Sequence, residues 1–231
     1  MRIMSFNTQH CLNYVERRID FDVMARAIID CDADVVGLNE MRGIGPDPEF
    51  EAQTERLAEL TGMKYYYFAP ALHMKEGLYG NALLSRIPIK SAKTIIIPDP
   101  VLKNGSRHYE TRCILKAELE GGITLLVTHF GLNSDEQKNA VDTVLENLAK
   151  EKCILMGDFN VTPEGPVLLP IRAAMTDTAD FFDEPKLSFP SDLPKAKIDY
   201  IFVSRDVAVK SADIPHIVAS DHRPHTAEIN L

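Results

Sequence analysis

The chain has 231 residues, of which 45% are hydrophobic and 26% charged, ordinary values for a globular protein that exclude a disordered or collagen-like chain. It carries 25 Lys and Arg against 34 Asp and Glu, a net charge of −9. That field repels polyanions, so nucleic acid is a possible but not a favoured partner unless a local basic patch overrides it. β-rich single domains reach about 200–250 residues, so one domain over residues 1–231 is expected, and a monomer. No apolar run approaches the roughly 20 residues of a membrane span, and the start Met1-Arg2-Ile3-Met4-Ser5 lacks a signal-peptide core; a cytoplasmic location is expected.

In chain order, Ile3–Phe6 reads as a buried strand ending at Asn7. Phe21, Met24, Ala25, Ile28 and Ile29 recur at helical spacing behind a cap at Asp20. Asp34–Leu38 is a second apolar strand, followed by Glu40, and a second helix is expected after Asp47-Pro48, stopping near Gly62. Tyr65-Tyr66-Tyr67-Phe68 fits core and edge packing of a strand better than base stacking.

Asn81–Leu84 is another strand, and Cys113, Leu115, Ala117 and Leu119 alternate as in a half-buried one. Ile123–Thr128 leads to His129. A capping-box pattern at Ser134-Asp135-Glu136-Gln137 then opens a third helix with Ala140, Val141, Val144, Leu145 and Leu148 on one face. Cys153–Met156 leads through Gly157 to Asp158, Asp199 heads the strand Ile198–Val203, and Ala227, Ile229 and Leu231 alternate at the end. So many strands with so few helices argue against a doubly wound sheet. They favour an α+β four-layer sandwich, two packed β-sheets flanked by helices. The four cysteines lie far apart without a Cys-x-x-Cys pair, as expected for reduced core thiols.

Packing does not explain why apolar strands should end in Asn7, Glu40, His129 and Asp158. Strand ends can converge on one sheet edge, and Asp199, Asp221 and His222 would add to the cluster. Two like charges about 5 Å apart repel by about 3 kcal/mol at an effective dielectric near 20, so meeting carboxylates need a cation. Oxygen donors such as Glu40, Asp221 and the Asn7 amide suit Mg²⁺ or Mn²⁺.

Seven segments then carry a family resemblance: Phe6-Asn7, Leu38-Asn39-Glu40, Gly80–Arg86, Thr128–Leu132, Gly157-Asp158-Phe159-Asn160, Lys197–Tyr200 and Ser220–Pro224. In this order they resemble the endonuclease/exonuclease/phosphatase family, over nearly the whole chain. The resemblance implies the fold of deoxyribonuclease I and metal-dependent cleavage of a phosphate ester. It implies Glu40 as principal metal ligand, with Asp221 and Asn7 completing or orienting the site. Asp158 and Asn160 would work on the attacking water and the phosphate oxygens, while Asp199 and His222 form a carboxylate–imidazole pair. His129 resembles the histidine of the deoxyribonuclease and sphingomyelinase branches, where exonuclease III-like repair enzymes have tyrosine.

Asn81 and Arg112 are candidates to support the phosphate or the residues that contact it, arginine being suited to a bidentate oxyanion contact. Taken alone, Glu40 is a solvated strand end, Asp158-Phe159-Asn160 an Asx turn, and Arg112 an ordinary strand residue. His10 could line the pocket or sit in a loop. Lys103, Arg107, His108 and Tyr109 fall in a loop that, with Phe181–Lys195, carries no readable substrate code. A nucleophile elbow, a Walker loop, a dinucleotide fingerprint and a His-Glu-x-x-His zinc motif are all missing. The expectation is therefore a Mg²⁺-dependent (or Mn²⁺-dependent) phosphodiesterase or phosphatase acting on a phosphate-ester substrate. A nuclease is the alternative, and a non-catalytic module of the same fold a further one.

Overall fold

Runs of Val, Ile and Leu bounded by Gly, Pro and Asp become strands because branched side chains pack well on a pleated surface. The computed structural model describes residues 1–231. Its strands are β1 (Arg2–Asn7), β2 (Val35–Arg42), β3 (Tyr65–His73), β4 (Leu78–Ser85), β5 (Ile89–Ile96), β6 (Cys113–Leu119), β7 (Ile123–His129), β8 (Cys153–Asp158), β9 (Thr176–Asp177), β10 (Asp199–Val203), β11 (Ala208–Asp213) and β12 (His225–Asn230). The helices are α1 (Phe21–Asp30), α2 (Gln53–Thr61), α3 (Ser134–Asn147) and α4 (Leu169–Ala174).

One six-stranded sheet runs β11-β12-β1-β2-β4-β3 and the other β5-β6-β7-β8-β10-β9. Each holds one parallel pair, β1 with β2 and β7 with β8, among antiparallel neighbours. Alternation along the strands sends Ile3, Val35, Leu83, Leu115, Val127 and Met156 into a core between the sheets. Met4, Phe6, Val36 and Leu38 face the other way, onto Met24, Ile28 and Leu57 of α1 and α2. Leu126, Leu155, Tyr200 and Phe202 pack with Val141 and Val144 of α3 and Ile171 of α4. Helices, sheet, sheet, helices is the expected α+β sandwich. Each fully buried aliphatic side chain in it contributes about 1.5–3 kcal/mol.

The sheets come close where Gly37 faces Met156, whose Sδ would stand 2.6 Å from an added Cβ. All four cysteines are buried and free. No helix is long and apolar enough to cross a membrane.

Local boundaries differ from the expectation in three places. Asp47-Pro48 opens a turn, with the Phe50 amide donating to Asp47 O at 2.9 Å, and α2 starts only at Gln53, ending at Gly62 with φ 68° as expected. Asn133, not Ser134, caps α3, and the Glu136 carboxylate accepts from its backbone N–H at 3.1 Å. β2 runs on past Leu38, so Glu40 lies within a strand instead of following one.

Candidate active site

In the parallel pairs, Asn7 stands opposite Asn39 and His129 opposite Asp158, and antiparallel β10 sets Asp199 opposite Asp158 as well. These registers bring the carboxyl ends of β1, β2, β7 and β8 to one rim, where ligands of layered sheets tend to bind. Amides join the two sheets there. Asn7 Nδ2 donates to Glu40 Oε1 at 3.0 Å and to Asp158 Oδ2 at 3.1 Å. Asn39 accepts from the Asp158 N–H at 2.9 Å and donates to Thr128 O at 2.9 Å and Asn81 Oδ1 at 2.8 Å. Glu40 reaches the rim through a bulge: the β2–β4 register shifts between Leu38 and Met41, and Glu40 takes φ 61°. A left-handed glutamate costs about 1–2 kcal/mol, a strain of the kind found at functional positions.

Asp158 is the hub. It follows Gly157, whose φ is 148° and where an added Cβ would lie 1.8 Å from Thr128 O. Its Oδ2 lies 3.5 Å from His129 Nε2 and 3.7 Å from His222 Nε2, so two imidazoles flank one carboxylate. Behind His222, Asp199 Oδ2 stands 2.9 Å from Nδ1, and the Phe189 ring packs at 4.8 Å between centroids. Behind His129, Arg112 Nη1 lies 3.0 Å from Nδ1. Arginine can only donate and carries the charge, so Nδ1 accepts from it and the His129 proton sits on Nε2, which leaves the Asn160 Nδ2 at 3.1 Å facing an N–H instead of an acceptor.

Burial pushes the Asp158 carboxyl up to about 7, against the pull of charged His222 and with Asp199 adding to the rise. Burial lowers His222, but Asp199 and Asp158 together outweigh it and hold the imidazole at about 10. His129 is pushed well below the usual histidine range by burial, by Arg112 and by His222.

The donor set fits a hard divalent cation. Burial raises Asp221 against the pull of His222, and the charge on Glu40 raises it further, so these two carboxylates act on each other at the rim. Asp158, Asp199 and His222 also offer ligand atoms within 4.8 Å of one another, although a metal there would have to break the 2.9 Å contact between Asp199 and His222. Glu40 and Asp221 offer carboxylate oxygens, the donors that hard divalent cations take. The Asn7 amide turns its nitrogen to the carboxylates, while its oxygen accepts from the Gln9 N–H at 3.0 Å. Here it orients Glu40 and Asp158, and it would have to flip to serve as a ligand.

Asn160 sits in the Asx turn that the segment Asp158-Phe159-Asn160 suggests when taken alone. Its N–H donates to Asp158 Oδ1 at 2.9 Å in an Asx turn, with φ 51°. The turn still delivers its Nδ2 to the rim, 3.0 Å from Phe130 O and 3.1 Å from His129 Nε2.

Asn81 and Arg112 both stand behind rim residues, Asn39 and His129 respectively. Asn81 is 1% exposed, and its Nδ2 donates to Cys113 O at 2.9 Å while its Oδ1 accepts from Asn39, so its polar atoms are spent within the frame. Arg112 turns its Nη1 to the back of His129, and Glu110 Oε1 holds the same nitrogen at 2.6 Å, while its buried Nε has no partner. His10 sits in a tight turn beside β2 with φ 46°, its imidazole lowered by burial and by Arg42. Tyr109 folds back from its loop, donating to Asp135 Oδ2 at 2.7 Å and stacking under Lys103.

Sequence reasoning gave no role to Asn39, Glu110 or Tyr79. A buried strand amide demands partners, which is the signal at Asn39. Glu110 is two residues from Arg112, a spacing that puts both on one side of an extended chain. The Tyr79 hydroxyl, raised by burial and by the adjacent Glu40, carried no readable signal.

The layered fold and a rim of carboxylates, amides and paired imidazoles define a class of α+β proteins with a hydrolase-like centre. Residues 4–222 match the model of the endonuclease/exonuclease/phosphatase family, and the chain belongs to that family, whose members are hydrolases acting on phosphate esters. Among relatives, the uncharacterized protein YbhP of Escherichia coli K12 is 23% identical over 249 residues, covering 100% of this chain and 96% of its own. An endonuclease/exonuclease/phosphatase of Beutenbergia cavernae superposes with TM-score 0.77 at 20% identity, over 100% of this chain and 71% of that one. A mannosyl-6-phosphatase of Bacteroides thetaiotaomicron does so with TM-score 0.77 at 17% identity, over 100% of both chains. At these identities the solved structures establish the shared fold.

Proposed function

We propose that the protein is a Mg²⁺- or Mn²⁺-dependent phosphoesterase that hydrolyses a phosphate ester by direct attack of water. The observation that carries this reading is Asp158 set between two imidazoles of opposite character, at 3.5 and 3.7 Å. Asp158, at about 7, suits a group that takes a proton from water near neutral pH. His222, protonated up to about 10, offers an N–H to the developing charge or the leaving oxygen, and Asp199 fixes its ring with the proton on Nδ1 directed at the carboxylate.

With its proton on Nε2, His129 would donate to a phosphate oxygen at the rim, and Asn160 Nδ2, which donates one hydrogen to Phe130 O at 3.0 Å, would offer its other. Glu40 and Asp221, with Asn7 orienting Glu40, would hold the cation. When bound, it supplies Lewis-acid polarisation of the phosphoryl oxygen and neutralises the surrounding carboxylates. The net charge of −9 supports a small ester over the alternative, a nuclease acting on a long nucleic acid.

The test is hydrolysis of bis(4-nitrophenyl) phosphate and 4-nitrophenyl phosphate by chelator-treated protein with Mg²⁺ or Mn²⁺ added back. Activity is expected to vanish with chelator and return with metal. Protein that is folded, metal-loaded and inactive on a broad panel of mono- and diesters would instead be a binding module.

A further inference from the structure

The two ends of the sheets are finished differently. Connections at the rim end include the segments 8–20, 43–52, 97–112 and 178–198, and these expose Val15 by 72%, Ile44 by 69%, Val101 by 98%, Leu102 by 71% and Leu193 by 72%. Leu169 at 63%, the next most exposed, opens α4. The connections at the far end, 31–34, 62–64, 86–88, 120–122, 148–152 and 204–207, expose no large apolar side chain and present Asp32, Lys64, Arg86, Glu120 and Arg205 instead. Singly exposed apolar residues are ordinary on a protein surface, but their confinement to one end is not.

Hydrogen bonds distribute these side chains around the rim. Tyr14 Oη donates to Asp192 Oδ1 at 3.2 Å, and the Ser191 N–H donates to Asp221 O at 2.7 Å, so Val15 and Leu193 belong to adjoining turns on the Asp221 side. Ile44 follows Glu40 by four residues, just past the end of β2. Val101 and Leu102 project from the loop that ends at Arg112, behind His129. That loop is fixed to α3, with Asn139 Nδ2 donating to Pro98 O at 2.8 Å and the Arg107 N–H to Asn133 Oδ1 at 2.9 Å. Three apolar points thus surround the candidate site, on loops that also carry Asp47, Glu49, Asp99, Lys103 and Asp192.

We propose that the rim end is a docking surface for a zwitterionic lipid bilayer, which brings the centre onto phosphate esters carried by lipid headgroups. The docking stands on the surface alone, while the ester it delivers rests on the phosphoesterase reading. A folded protein partner calls for one contiguous apolar core within a patch of about 800 Å² per side. Separated aliphatic tips suit a fluid surface, where each inserts on its own and charged neighbours stay in the headgroup layer. The charge selects the lipid. With a net charge of −9 and carboxylates on the same loops, an anionic leaflet is repelled, whereas a zwitterionic one leaves the apolar contribution intact.

The experiment is flotation of the full chain with phosphatidylcholine vesicles, which needs neither metal nor turnover. A single myristoyl chain binds lipid with a constant of about 10⁴ M⁻¹, so partial insertion of these five short side chains should give about 10³ M⁻¹ or more, read at millimolar lipid. Val101→Ser combined with Leu102→Ser should weaken binding by about tenfold, and Ile44→Ser by about threefold. Added salt should leave the binding in place, and phosphatidylglycerol vesicles should bind less. Failure to float with phosphatidylcholine overturns the proposal, as does unchanged binding in the folded variants or binding to phosphatidylglycerol alone. A wild-type dimer in sedimentation equilibrium that the double variant abolishes would assign the surface to a second copy of the chain, and overturns it too.

Turnover separates the two readings. Dissolved bis(4-nitrophenyl) phosphate should be hydrolysed equally by wild type and the double variant, because Val101 and Leu102 take no part in the site. Vesicle binding without hydrolysis of any ester supports the docking and removes the phosphoesterase reading. Hydrolysis in solution without vesicle binding keeps that reading and overturns the docking.

Discussion

His129 and His222 stand at nearly the same distance from Asp158, 3.5 and 3.7 Å, and both are about 5% exposed. Yet one ring is neutral and the other charged. The difference lies behind each ring. A carboxylate at 2.9 Å backs His222, and a guanidinium at 3.0 Å backs His129. Burial pushes both toward neutrality, so what each nitrogen touches decides the outcome. A single carboxylate thus has a proton-bearing cation on one side and a neutral donor on the other, the kind of asymmetry that divides acid, base and binding roles.

Removing the hub should have the largest effect. Asp158→Asn, which keeps shape and loses the proton acceptor, should lower kcat by at least about 10²-fold, and His222→Ala should do the same. Steady-state rates on a nitrophenyl ester measure both. Near-normal rates in the two variants would leave the asymmetry without a role. His129→Gln should cost less, because an amide can still donate to a phosphate oxygen, and its loss should fall on KM more than on kcat.

Titration separates the two rings in metal-free protein, where NMR follows each imidazole. His222 should keep its proton to about 10, and His129 should remain neutral well below 6.5. Asp199→Asn removes the largest charge that raises His222, so its titration should move down while that of His129 stays.

The stability consequences have opposite signs. His222 is raised in the folded state, so its contribution is complete below 6.5 and is lost as pH rises toward about 10. The margin of wild type over His222→Gln in urea unfolding should shrink across that window. His129 is lowered, so its contribution is present above 6.5 and is lost as pH falls. The margin over His129→Gln should shrink in the acid direction instead.

Much of this arrangement could be read from the chain, because a polar residue closing a run of buried apolar ones is conspicuous. Asn7, His129, Asp158 and Asp199 all end or begin strands, and parallel or antiparallel register brings them together. Alternation likewise announced two sheets. What escaped depended on backbone conformation or on partner choice. No residue type declares that Glu40 adopts φ 61° inside a bulge, since glutamate there is held by the surrounding pairing. Asp47-Pro48 reads equally well as a helix start or a turn, and the turn won because Phe50 closes on Asp47. Arg112 looked like a phosphate clamp by its type alone. Only its contact with His129 reveals it as a backing group.

The smallest expected effect lies farther out and concerns what keeps Glu110 and Arg112 in place. The N-terminus of α3 holds the segment before β6: the Arg107 N–H donates to Asn133 Oδ1 at 2.9 Å and the Glu110 N–H to Glu136 Oε1 at 3.2 Å. Asn133 also donates to Glu136 Oε2 at 2.7 Å. Asn133→Ala removes an N-cap side chain and should cost about 1 kcal/mol in urea unfolding. The loosening reaches Arg112, and through it His129, but not Asp199 or His222 on β10 and the loop before β12. The ¹⁵N shifts of His129 should therefore broaden or move while those of His222 remain unchanged. Equal disturbance of both rings would mean that they are supported in common, and that the contrast between them reflects burial more than the group behind each one.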